Sequence, residues 1–149
     1  MYPIVIDPAK FSILIIGGGK IATRKAKRIT AEGGHPTLIS PHFSEDLLRA
    51  NAQKKVTLIE RPFQAGDTKD FQLIFICTND PQANRAALNE ITAQQLVNDT
   101  TNKGNSRFFT MSYFKQDIYT VAVTSEGTDP AKTKWLKDQI QLFLARFFT

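Results

Sequence analysis

The sequence predicts an α/β chain: a doubly wound parallel sheet followed by a small α+β segment. Three observations carry that expectation. Apolar runs of strand length alternate with helical patterns through short connections. One such run, Phe11–Ile16, ends at three glycines that open a helix. Beyond Asn98 the alternation gives way to two neighbouring apolar strands and a final helix. With 149 residues the chain is one domain, or one with a small appendage, since domains usually run to roughly 100–200 residues. Apolar residues make up 42% and charged residues 22%, which excludes disorder throughout.

Phe11–Ile16 reads as a buried parallel strand because it is apolar and closes on a glycine turn. Lys20 to Glu32 carries Ile21, Ala22, Ala26 and Ile29 at helical spacing, with Gly33-Gly34 as the stop. Thr37–Ser40 is a second strand, closed by Pro41. Ser44 caps a helix through about Gln53, with Glu45 and Asp46 where the helix dipole favours them. Val56–Glu60 is a third strand and Gln72–Cys77 a fourth, apolar throughout and so expected at the centre of the sheet. Pro81 starts a helix through about Gln95, and Leu96–Asn98 is a short fifth strand. Asp99 to Ser106 is polar and turn-rich. Phe108–Phe114 and Ile118–Thr124 then form a hairpin about Lys115-Gln116-Asp117, and from Ala131 a helix runs to the end. Its stripe of Leu136, Ile140, Phe143, Leu144 and Phe147 finishes at Phe147-Phe148. Residues 1–106 are thus read as the parallel domain and 107–149 as a hairpin-and-helix segment.

No uncharged apolar run approaches the ~18–20 residues of a membrane span. The N-terminus lacks the layout of a secretory signal. The single cysteine, Cys77, rules out an internal disulfide framework and a cysteine-based metal cluster, and fits a cytoplasmic setting. The net charge of +5 points to an anionic partner. Spacings of three and four put Lys20, Arg24, Lys27 and Arg28 on one side of a helix, either as a solvated face or as a rim facing a polyanion. Nucleic acid is the weaker choice, because no aromatics interleave with these cations.

The sharpest motif is Gly17-Gly18-Gly19-Lys20-Ile21-Ala22. It keeps the spacing Gly17-x-Gly19-x-x-Ala22 of the dinucleotide fingerprint, between a predicted strand and a helix, and makes the expected sheet Rossmann-like. Gly17 permits the tight turn, Gly19 lets backbone approach a pyrophosphate, and Ala22 lets helix and strand pack closely. The helix N-terminus offers amides to the phosphates. After the second strand stands Ser40-Pro41-His42, with neither the acid that binds a ribose 2′-hydroxyl nor the Arg that takes a 2′-phosphate; the missing cation leans towards NAD. Thr78-Asn79-Asp80 follows the fourth strand at the ligand-binding edge, where Asn79 or Asp80 also suits a helix cap. Cys77 reads as packing rather than nucleophile. His35 and His42 lack partners at metal-ligand spacing, and no metal site is expected.

Tyr2-Pro-Ile, Gly17 to Ala22 with Arg24-Lys25, Ser40-Pro41, Thr78-Asn79-Asp80, Val97-Asn98 and Gly127-Thr-Asp-Pro130 recur in that order. Together they resemble the precorrin-2 dehydrogenase and sirohydrochlorin ferrochelatase family, which includes the N-terminal module of siroheme synthase. The resemblance covers nearly the whole chain. It implies NAD-dependent oxidation of precorrin-2 to sirohydrochlorin, iron insertion in some members, and homodimers formed through the segment after the nucleotide domain. Lys20, Ile21, Pro41 and His42 would contact the dinucleotide, and Thr78–Asp80 would line its nicotinamide side. The substrate, an octacarboxylate tetrapyrrole, gives the basic face a partner. Two departures stand out. The family's acid/base aspartate falls at Thr101, with Asp99 the nearest carboxylate; either assists proton loss, but a hydroxyl is a poor base unless activated, which argues against chelatase activity. The chain also stops about where the family's helical domain would begin. The alternative reading is a non-enzymatic dinucleotide-binding or regulatory module.

Overall fold

Four-residue apolar strands, buried on both faces, need helices on both sides, and the chain supplies them in alternation. The computed structural model describes residues 1–147; Phe148 and Thr149, the end of the expected C-terminal stripe, lie outside the described residues. In order come Ile13–Ile16 (β1), Lys20–Ala31 (α1), Thr37–Ser40 (β2), Glu45–Ala52 (α2), Thr57–Glu60 (β3), Leu73–Ile76 (β4), Pro81–Glu90 (α3) and Leu96–Asp99 (β5). The five strands are parallel in the order β3-β2-β1-β4-β5, a Rossmann-like sheet. Strand order reverses between β1 and β4, and the crevice beyond their carboxyl ends is where such sheets bind ligands. Leu14, Ile16, Ile39, Ile74, Ile76 and Val97 form one core face with Ala87 of α3. The alternate residues of β4 and β5, Phe75 and Asn98, face α1 instead.

The strand in the middle is β1; β4, expected there, lies beside it. α3 ends at Glu90 rather than near Gln95, because Ile91 turns extended. The Glu90 carboxylate there accepts from Gly66 N (2.7 Å), Thr68 N (3.1 Å) and Thr68 Oγ1 (2.7 Å). Gln95 is drawn the same way, its Nε2 donating to Thr68 O (2.6 Å) and Phe71 O (2.8 Å). β5 runs one residue beyond Asn98, to Asp99. A 3-10 turn at Pro8–Lys10, capped by Asp7, precedes the sheet.

A compact unit of residues 2–107 holds this sheet, and a second begins at residue 108 and includes Met1. In the second, Ser112–Gln116 (β6) and Tyr119–Val123 (β7) pair antiparallel, and Pro130–Leu144 (α4) packs on both. The strands are shorter than Phe108–Phe114 and Ile118–Thr124. Lys115 and Gln116 join the ladder, because the turn is made at Asp117, whose φ is 54°. α4 starts at Pro130 behind the Asp129 side chain, which accepts from Lys132 N at 2.9 Å, and stops at Leu144 instead of running to the end. Of the expected stripe, Leu136, Phe143 and Phe147 are exposed, while Ile140 and Leu144 are half-buried. Among the described residues no helix is long and apolar enough to cross a membrane.

Candidate functional site

The glycine turn is locked on two sides and open on the third. Gly17 has φ +126°, and its N–H donates to Ile39 O at 2.8 Å. A Cβ there would lie 2.5 Å from Cys77 O, and one on Gly18 would lie 2.0 Å from His42 O. A Cβ on Gly19 would meet nothing within 4 Å. The turn is therefore keyed between the ends of β2 and β4, and its free side faces open space at Gly19. Immediately after it α1 begins with no side-chain cap and no acidic residue in its first turn. First-turn amides without a protein acceptor, over a backbone that a ligand can approach closely, make a cradle for an anion. A pyrophosphate fits it. Ala22 is fully buried, as close helix–strand packing needs, whereas Lys20 and Ile21 are exposed beside the cradle. Thr23 Oγ1 donates to Gly19 O (2.9 Å) and contacts Ser44 Oγ (2.8 Å), tying the cradle to the α2 cap.

Beyond β2, Ser40 is buried and its Oγ accepts from His42 N at 3.5 Å; Pro41 and His42 are exposed at the edge. The four cations of the expected basic face line one open groove of about 460 Å³ between α1 and α2, with Thr23, Ser44 and Asp46. Lys27 reaches Asp46 at 2.6 Å and Arg49 pairs with the same carboxylate. Hydrogen bonds from Lys27 and then Arg49 hold Asp46 below the usual carboxylate range. At the end of β4 Asp80 caps α3 by accepting from Gln82 N (2.8 Å), and its own N–H donates to Thr78 Oγ1 (3.0 Å). Asn79 is exposed, and Asn84 Nδ2 ties the turn down at Thr78 O (3.1 Å).

The two residues offered for proton transfer touch each other. Asp99 is buried, and its Oδ1 accepts from Thr101 N (2.8 Å), Thr101 Oγ1 (2.7 Å) and Asn102 N (3.2 Å), its Oδ2 from Asn105 Nδ2 (2.8 Å). Burial raises the affinity of that carboxyl for a proton, but the hydrogen bonds from Asn105, Thr101 and Asn102 outweigh it and hold the group below its ordinary value. Thr101 is exposed, with its hydroxyl proton directed at Asp99. Cys77 is half-buried, and burial pushes its thiol up to about 11, the character of a packing residue. Among the described residues no group of three or more His, Cys, Asp and Glu is placed to hold a metal ion.

One buried cation escaped the sequence reading. Lys25 is not on the solvated face of α1 but buried on the core stripe; its Nζ donates to Asn98 Oδ1 at 3.2 Å and sits 5.1 Å from the centroid of the Phe75 ring. The signal was present. Ala22, Lys25, Ala26 and Ile29 fall at i, i+3, i+4 and i+7, the spacing of a core face.

The family model for NAD(P)-binding domains matches residues 4–112. Precorrin-2 dehydrogenase of Priestia megaterium is 26% identical over 140 residues, covering 94% of this chain and 69% of that protein. The Bacillus subtilis precorrin-2 dehydrogenase is likewise 26% identical, with 94% and 86% covered. Siroheme synthase of Pseudoalteromonas atlantica is 27% identical over 94% of this chain, which spans 30% of that longer protein. The solved structure of SirC, a precorrin-2 dehydrogenase, superposes with a TM-score of 0.85 at 26% identity, over 96% of this chain and 71% of that one. The chain belongs to the NAD(P)-binding family.

Proposed function

We propose that this member of the NAD(P)-binding family is a precorrin-2 dehydrogenase, oxidising precorrin-2 to sirohydrochlorin with NAD. One observation carries the reading. The fingerprint turn leaves an uncapped helix start and open space at Gly19, in a chain matched along 94% of its length by precorrin-2 dehydrogenases. NAD supplies the hydride acceptor; the chain's residues bind, orient and handle the proton. Gly17, Gly18 and Gly19 shape the pyrophosphate cradle, with Lys20, Ile21 and Ala22 at the helix start. Ser40, Pro41 and His42 flank the adenosine ribose, where no acid or Arg stands. Thr78, Asn79 and Asp80 line the nicotinamide side. Thr101, in the 99–106 loop facing the macrocycle, takes the substrate proton on its hydroxyl oxygen while passing its own to Asp99 Oδ1, its hydrogen-bond acceptor at 2.7 Å. Lys20, Arg24, Lys27 and Arg28, gathered in one groove, attract the polycarboxylate substrate.

Anaerobic incubation with precorrin-2 and NAD, followed by absorbance, should produce sirohydrochlorin only when the cofactor is present. Protein that binds NAD yet forms none overturns the dehydrogenase reading in favour of a dinucleotide-binding module. Iron insertion into sirohydrochlorin should run no faster than the spontaneous rate, since Thr101 replaces a carboxylate.

The assembly we propose is a homodimer, in a cytoplasmic setting, built on the hairpin-and-helix segment. It is supported by Trp135, Leu142, Phe143 and Phe147, which are 57%, 65%, 58% and 67% exposed on or just beyond α4; clustered apolar exposure of this kind marks contact surfaces. Phe143→Asp should shift sedimentation from dimer to monomer, and a wild-type monomer at micromolar concentration refutes the assembly.

A further inference from the structure

We propose that Lys25 is a positioning residue for the 99–106 loop: its ammonium sets the orientation of the Asn98 amide, and through it the geometry of Asp99 and Thr101. That the loop serves substrate rests on the dehydrogenase reading above; that Lys25 orders the loop does not.

An ammonium only donates hydrogen bonds. Lys25 Nζ at 3.2 Å therefore obliges Asn98 to present Oδ1 to it, and so turns Nδ2 towards Ser106 Oγ at 3.5 Å. Ser106 Oγ accepts from Asp99 N at 2.9 Å and lies 3.3 Å from Asp99 O. Asp99 in turn gathers Thr101, Asn102 and Asn105. Donors thus run outward from the interior face of α1 through Asn98 to Ser106, where they meet the bonds that Asp99 N gives to Ser106 and that the loop tip gives to the Asp99 carboxylate. Asn98 and Asp99 are both buried, so an amide turned the wrong way has no water to compensate it.

The groups that face Lys25 make its charge conditional. Burial is the chief influence lowering its affinity for a proton, Arg24 and Arg28 on its own helix add to it, and the result is a pKa of about 8. Cys77 at the end of β4, its thiol pushed up to about 11, is neutral in that range. The neutral amine carries a lone pair and can accept as well as donate. Asn98 is then no longer obliged to turn Oδ1 towards Lys25, and its tie to Ser106 weakens. The loop is ordered at neutral pH and loosens as Lys25 loses its proton.

Hydrogen exchange at the amides of Asp99, Thr101 and Asn102, corrected for intrinsic rates, tests this from about pH 6.5 to about pH 9. Wild-type protection should fall roughly fivefold as pH rises through the Lys25 pKa, whereas Lys25→Arg, charged throughout, should hold it. Lys25→Met should show the lower protection at every pH. All three should bind NAD within about twofold of each other, while Lys25→Met loses about tenfold in kcat and the alkaline limb of the wild-type profile moves up in Lys25→Arg. Wild-type protection that ignores pH overturns the proposal, and that measurement needs no variant to fold. If the wild-type protein turns over no precorrin-2, the dehydrogenase reading fails while the exchange data still decide the role of Lys25.

Discussion

At the glycine turn the protein leaves donors over, while in the 99–106 loop it gathers donors onto one carboxylate. The first turn of α1 has no side-chain cap and no acidic residue, and beyond its chain neighbours nothing stands within 4 Å of where a Gly19 Cβ would be. The Asp99 carboxylate, by contrast, takes four hydrogen bonds from its own loop. Unsatisfied amides at a helix start are what an anionic ligand requires. A self-satisfied buried network is what holds a platform still. Ligand attraction and rigid presentation are thus assigned to the ends of two different strands, the middle β1 and the outer β5, along the carboxyl edge of one sheet.

Substitutions should separate the two. The largest effect is expected from Gly18→Ala, whose Cβ would sit 2.0 Å from the His42 carbonyl oxygen. Backbone blocks it, so stability should fall by about 3 kcal/mol or more, with the urea midpoint dropping and NAD binding lost. Asp99→Ala comes next, at about 1–3 kcal/mol, because the exposed residues Thr101, Asn102 and Asn105 lose one buried acceptor together and water satisfies their donors only in part. The sign with pH follows from the lowered native pKa. The ionised carboxylate contributes fully above the unfolded value near 3.9, and that contribution is lost as pH falls towards the native value. The gap between wild type and Asp99→Ala should therefore close below about pH 4.

Gly19→Ala sharpens the contrast from the other side. Its Cβ has room, so unfolding should stay within about 0.5 kcal/mol of wild type. The same methyl occupies the space of the pyrophosphate, and NAD affinity should drop at least about tenfold, or 1.4 kcal/mol. Equal affinities in a titration would break the assignment of the cradle. The smallest expected change is in the stability of Lys25→Met. Removing a buried charge relieves desolvation but takes the Lys25 hydrogen bond away from Asn98 Oδ1, so the variant should be about 0–1 kcal/mol more stable at pH 7 while losing turnover. Between the native pKa of about 8 and the ordinary 10.5 the unfolded wild-type chain binds more protons at this site than the native one. Wild-type stability then rises with pH, and any advantage of Lys25→Met shrinks across that window. Thermal melts at pH 7 and pH 10 measure it.

What could be read directly from residue order was whatever depends on neighbours. The strand runs, the glycine turn, the Ser44 cap and the Pro81 helix start all rest on period, backbone freedom or a hydrogen bond spanning two or three residues. Other features waited for partners far along the chain. Glu90 ends α3 early to satisfy Thr68, 22 positions away, and Lys25 is buried because Asn98, 73 positions away, receives it. It was the family resemblance, not local pattern, that offered Asp99 and Thr101 for proton transfer, and only the folded loop showed both Asp99 oxygens already engaged and Thr101 holding the exposed hydroxyl. The sequence by itself determined the α/β alternation and where a phosphate could approach backbone, since periodicity and the absence of a Cβ are local properties. The tertiary structure decided which cation is buried and which carboxylate is occupied, because desolvation and hydrogen-bond satisfaction exist only once distant segments exclude water together.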